Sequence, residues 1–138
     1  MEKGFQNKTL DVRTGDGADD VLLEPLLYIA SDGKFYRVPI GGSTDGISTP
    51  SAIRNIPGFN STGDDWFSGV LHDSAYRNEL EVCDALGIWS KANLTQDKAD
   101  ALILDAMESQ GVGFIRRHTI YRALRMFGSF AFASDRAK

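Results

Sequence analysis

A single cysteine among 138 residues excludes an internal disulfide, so packing alone must hold this chain together. A lone thiol with no recognisable base and orienting group is a poor nucleophile, and Cys83 reads as a small packed side chain suited to a reducing compartment. Basic residues are not in excess either. Fifteen Lys and Arg stand against nineteen Asp and Glu, a net charge of −4, which argues against binding nucleic acid by neutralising phosphates. Long apolar runs are missing: VLLEPLLYIA, residues 21–30, is interrupted by Glu24 and Pro25 and is too short for a hydrocarbon core of about 30 Å. The opening MEKGFQNKTL lacks the apolar core of a signal peptide, so neither export nor a transmembrane segment is expected. Histidine is also scarce, with two in the chain. That count disfavours a metal-dependent phosphohydrolase of the His-Asp type, which needs further histidines ahead of the pair. None precedes His72, and His118 sits beside Arg116 and Arg117.

What is present fits one α+β domain, with 42% hydrophobic and 25% charged residues. Residues 1–40 read as strands and hairpins forming a small N-terminal antiparallel sheet. KTLDVRT, VLLEPLLYIA and FYRVPI are separated by a Gly/Asp-rich turn at Gly15–Asp20 and by Asp32-Gly33, residues that tolerate the positive φ of a tight turn. Residues 41–63 form a long Gly-rich loop. Residues 64–128 supply three helices: about 64–79 with Thr62 or Asp64 as cap, 96–110 between Thr95 and Gly111, and 114–127 ended by Gly128. Residues 80–94 read as a polar connection and 129–138 as a tail.

The second helix carries a polar residue where an apolar one is expected. Asp100 shares its face with Ile103, Leu104 and Met107, the spacing that normally faces a core. Buried carboxylates persist only when paired or hydrogen-bonded. In GVLHDSAYRN, residues 69–78, His72 borders the apolar stripe of the first helix with small neighbours Ser68 and Ala75. If the first two helices pack antiparallel, Asp100 accepts one imidazole N–H, fixes the tautomer, and leaves the other nitrogen to act as a base. Tyr76, one turn on, can bond Asp100 from the same side. Asp73 points about 100° away from His72, toward the loop and Asp45, and hard oxygen ligands of this kind suit calcium. The plainer alternatives are a structural histidine, an Asp73/Arg77 pair at i, i+4, and an Asp97 that merely complements the helix dipole. For the loop they are an Asp45-Gly46 turn followed by a short helix at Ser51–Asn55.

HDSAY at 72–76 with KADALIL at 98–104 resembles the phospholipase A2 core, particularly the virus-borne form, in which a His-Asp-x-x-Tyr helix faces an Ala-Asp helix. The resemblance implies that two helices pack antiparallel as in that family. It also implies that His72 activates a water, Asp100 orients His72, and Asp73 ligates a calcium ion that stabilises the oxyanion. The loop GGSTDGISTP, carrying Asp45, departs from that family's compact Tyr/Gly-rich calcium turn. A broader likeness, over about residues 35 to 128, is carried by VPIGGSTDGISTPSAIRNI, VLHDSAYR, QDKADALILDAM and YRALRMFG. These blocks resemble a family of tailed-phage and prophage proteins, domain of unknown function 1353.

The combined expectation is a phage-encoded, tail- or virion-associated protein, found in the virion or in the host cytoplasm during assembly. Its partners would be other virion proteins, and its substrate an ester in a membrane lipid or cell-envelope component, cut with calcium as cofactor. The alternative is a non-catalytic component of the tail, baseplate or neck. Arg116, Arg117, Arg122 and Arg125 would then face an acidic partner, or simply solvent.

Overall fold

The computed structural model describes residues 3–14, 20–44 and 66–136. Within them the chain is α+β, as expected. The strands are β1 (Gly4–Phe5), β2 (Val12–Thr14), β3 (Asp20–Leu22), β4 (Leu26–Ile29), β5 (Phe35–Val38), β6 (Ser43–Thr44), β7 (Glu81–Cys83) and β8 (Trp89–Lys91). The helices are α1 (Trp66–Tyr76), α2 (Gln96–Ser109) and α3 (Phe114–Arg136). Among the described residues no helix is long and apolar enough to cross a membrane.

The strands form two antiparallel sheets, one ordered β1-β4-β5-β7-β8 and a smaller one ordered β2-β3-β6. The β4–β5 hairpin turns where Asp32-Gly33 predicts it, with Gly33 at φ +84°. Strand alternation then decides which face is buried. Leu26 opposes Val38 and Tyr28 opposes Tyr36, and all four lie in the core with Val70, Leu71 and Ala75 of α1 and Ala99, Leu102 and Ala106 of α2. Arg37 points the other way, where it pairs with Glu81 at 2.7 Å and covers the Trp89 ring.

Three expectations are corrected. Residues 80–94 are not a plain connection, because β7 and β8 form a hairpin that extends the larger sheet, which is therefore not purely N-terminal. Its turn is built by Asp84, whose carboxylate accepts from the N–H groups of Leu86 and Ile88, and by Gly87 at φ +81°. The first helix ends at Tyr76 rather than at Glu79. It ends in a left-handed Asn78 at φ 56°, with the Glu79 and Asn78 N–H groups returning to the carbonyls of Ser74 and Ala75, a Schellman arrangement. The third helix does not stop at Gly128 but continues to Arg136, so residues 129–136 are helix rather than tail. The second helix matches its signals: Thr95 accepts from the Lys98 N–H, and Gly111 at φ +78° closes the C-terminus. The Gly15–Asp20 turn, save its last residue, lies outside the described residues, as do the caps Thr62 and Asp64 and most of the loop.

The continuation of α3 has a purpose visible in its last residue. Arg136 donates to the carbonyls of Tyr76 (3.0 Å) and Ala75 (3.1 Å) and to Leu94, so it caps the C-terminus of α1 while tying α3 to the segment between β8 and α2. Arg136→Gln is expected to lower unfolding stability by about 1–2 kcal/mol in urea titration, because helix-end carbonyls lose a charged donor. An unchanged midpoint would show that the contact contributes nothing.

Candidate functional site

Helices α1 and α2 run antiparallel. Ser68 near the start of α1 bonds Gln110 at the end of α2, whereas His72 and Tyr76 further along meet Asp100 near the start of α2. This geometry brings together the three residues expected to meet. His72 Nε2 lies 3.0 Å from Asp100 Oδ1, and the Tyr76 hydroxyl donates to the same oxygen at 2.6 Å. The His72 and Tyr76 rings pack with centroids 4.0 Å apart. Asp100 is 0% exposed and His72 8%.

A fourth residue completes the cluster. Arg125 of α3 donates to Asp100 Oδ2 at 2.9 Å and to Asp97 at 2.5 Å. Arg125 is expected to face an acidic partner or solvent; its side chain is indeed partly exposed, but its guanidinium also reaches the buried Asp100. Sequence position gave little warning, because Arg125 follows the buried Leu124 on a helix with several arginines and a long side chain can bury its stem while its head reaches sideways. Asp97 therefore does more than complement the helix dipole, since it also holds the outer half of Arg125.

These contacts fix the charge state. Burial alone would raise the Asp100 carboxyl, but hydrogen bonds from His72 and Tyr76, the His72 charge and the Arg125 hydrogen bond outweigh it and hold the group below its ordinary value of 3.8. Asp100 is therefore ionised near neutrality and can only accept. Nε2 of His72 must carry the hydrogen, which leaves the lone pair of the neutral ring on Nδ1. Tyr76 is pushed upward by burial and by Asp100, so its hydroxyl stays protonated and donates.

The shift of Asp100 sets the sign of a pH effect. Its folded value is depressed, so its contribution to stability is complete above about 3.8 and is lost as pH falls through the lowered value. The urea midpoint of the wild type should fall more steeply below that point than the midpoint of Asp100→Asn. Parallel acid profiles would contradict the assignment.

Asp73 is half-buried on α1, about 100° around the helix from His72. Asp45, its expected companion, lies outside the described residues. Among those described, no group of three or more His, Cys, Asp or Glu side chains is gathered for a metal ion. One carboxylate does not make the six to eight oxygen ligands of calcium, so the described residues do not by themselves fit that ion. Cys83 is partly exposed on β7, where it pairs with Trp89, and its thiol lies 3.5 Å from the carbonyl oxygen of Asp84.

Sequence reasoning also missed Asp105. On the opposite side of α2, its carboxylate accepts from the Tyr28 hydroxyl and from the Ser31 N–H and hydroxyl, and pairs with Lys3 at 3.3 Å. It anchors α2 to the larger sheet as Asp100 anchors it to the other helices.

The fold and site thus define an α+β protein with a buried His-Asp pair at a three-helix junction. The family described as Protein of unknown function (DUF1353) matches residues 21–124, and the chain belongs to it. His72, Tyr76 and Asp100 lie within the matched stretch, and Arg125 lies one residue beyond it. No curated protein and no solved structure matches the chain.

Proposed function

We propose that this protein is a phage-encoded, virion-associated hydrolase that cuts an ester in a membrane lipid or cell-envelope component. The observation that carries the reading is the 3.0 Å contact between His72 Nε2 and an ionised, fully buried Asp100. It orients an imidazole whose Nδ1 has the lone pair a general base requires. In the proposed reaction Nδ1 removes a proton from water as its oxygen attacks the ester carbonyl. The imidazolium, stabilised by Asp100, then returns the proton to the departing alkoxide as the C–O bond breaks. No step is routed through a metal ion, since the described residues do not assemble a site for one. The likeness of HDSAY and KADALIL to the phospholipase A2 core supports a lipid ester, and the family's blocks support a phage origin.

A second reading rests on a specific observation. Asp100 is bonded from α1 by His72 and Tyr76 and from α3 by Arg125, so one carboxylate pins three helices. That is also what a non-catalytic tail, baseplate or neck component would use.

Fatty-acid release from mixed phospholipid vesicles separates the two. The wild type should release fatty acid, and His72→Gln should reduce the rate by about 10²–10⁴-fold, the usual worth of a general base. Running the assay with calcium and with chelator, and adding Asp73→Asn, distinguishes metal-assisted from metal-free hydrolysis. A folded wild type that releases nothing in either condition would overturn the lipase reading in favour of the scaffold.

A further inference from the structure

On α2, Lys98, Ala101, Leu102 and Asp105 follow the i, i+3, i+4, i+7 spacing of one face, while Asp100 lies about 200° around the helix from Lys98. That face does not close fully on the sheet. Between it and the β4–β5 turn, with β5, β7 and residues 92–94, lies a pocket of about 430 Å³ on the side of α2 away from His72.

Three side chains in its wall have chemistry that the fold leaves unused. Tyr36 is only 6% exposed, yet its hydroxyl makes no hydrogen bond among the described residues. Burial raises the Tyr36 hydroxyl's pKa, as do the nearby charges of Asp32 and Asp105, so it stays protonated and can both donate and accept. Tyr36 lines the pocket together with Asp32 and Asp105. Lys34 and Lys98 complete the set. Among the described residues neither is paired with a carboxylate, unlike Lys3, which is bound to Asp105. Asp105 is already satisfied by Lys3, Tyr28 and Ser31, and Asp32 accepts the Lys34 N–H at 3.0 Å. The groups without an ionic partner are thus Lys34, Lys98 and the exposed Asp32 carboxylate, so the two cations outnumber the one unpaired anion beside the Tyr36 hydroxyl.

We propose that this pocket binds a small hydroxylated organic anion, a phosphate monoester or carboxylate held by Lys34 and Lys98 with a hydroxyl against Tyr36. Leu94 and Leu102 give it a short apolar wall, whereas the interspersed charges would penalise an acyl chain. The site does not depend on the His72 reaction, since it opens on the other face of α2.

The test is an NMR titration of the full chain with glycerol 3-phosphate, with lactate, and with neutral glycerol, all at constant ionic strength. Saturable amide shifts at Tyr36, Asn93 and Lys98 are expected with at least one anion and not with glycerol. A response to glycerol 3-phosphate alone assigns a phosphate ligand, and one to lactate alone assigns a carboxylate. Lys98→Gln and Tyr36→Phe should each weaken binding about tenfold, the loss of one charge-assisted hydrogen bond. Both keep the fold, because Lys98 is exposed and the phenyl ring still fills the core. His72→Gln should bind as the wild type does. Absence of saturable shifts with either anion, equal shifts with glycerol, or binding unchanged in Lys98→Gln would overturn the proposal.

Discussion

Asp100→Ala is expected to cost about 3 kcal/mol of unfolding free energy, a large share of the 5–15 kcal/mol that stabilises a typical domain. The magnitude follows from what the truncation leaves behind. The His72 Nε2–H and the Tyr76 hydroxyl lose a shared acceptor inside a buried junction, and each stranded donor costs about 1–3 kcal/mol. A small cavity adds to this. Two effects work in the opposite direction: the mutant no longer bears the desolvation of a buried carboxylate, and Arg125, already partly exposed, keeps Asp97. Asp100→Asn should cost roughly half as much, because the amide oxygen still accepts and the volume is kept. Chemical denaturation measures both changes directly.

The same pair of variants separates the two functional readings. If Asp100 only pins the helices, the two substitutions affect stability and nothing else. If it orients a base, Asp100→Asn should abolish ester hydrolysis under conditions where the protein remains folded. Full hydrolytic activity in a folded Asp100→Asn would remove the carboxylate from the mechanism.

The site was legible where a residue violated its local pattern. Asp100 on an apolar helical face demanded a partner, and the small residues around His72 indicated the helix that could approach it. The hairpin at Asp32-Gly33 and the caps Thr95 and Gly111 were readable because each signal needs only neighbouring residues. What escaped depended on distant parts of the chain. β7 and β8 are three residues each, too short for alternation to stand out, and only the Asp84 to Gly87 turn marks them. Arg125 and Asp105 acquire roles only once three helices and a sheet are assembled around them. Gly128 misled because glycine has two common uses, ending a helix and allowing close approach, and the sequence alone does not distinguish them.

Gly128 provides the second large expected effect. A Cβ added there would stand 2.7 Å from the Tyr76 hydroxyl oxygen and 3.2 Å from the Gln96 amide nitrogen. Gln96 is flexible enough to yield. The Tyr76 hydroxyl is held by its bond to Asp100, and its ring is wedged between His72 and Phe132. On helix propensity alone, Gly128→Ala in the interior of α3 should stabilise by about 1 kcal/mol. In this chain it is expected to destabilise by about 1–3 kcal/mol, because α3 must move out or Tyr76 must abandon Asp100. The sign should reverse when the obstacle is removed. In a Tyr76→Phe background the nearest remaining Tyr76 atom is the ring carbon at 3.8 Å, an ordinary contact, so Gly128→Ala there should be neutral or stabilising. A double-mutant cycle in urea reads this coupling. Equal costs in both backgrounds would mean that glycine is not needed for this crossing. The expected reversal would show that α3 runs past Gly128 because the missing side chain lets it lie against the Tyr76 hydroxyl that supports Asp100.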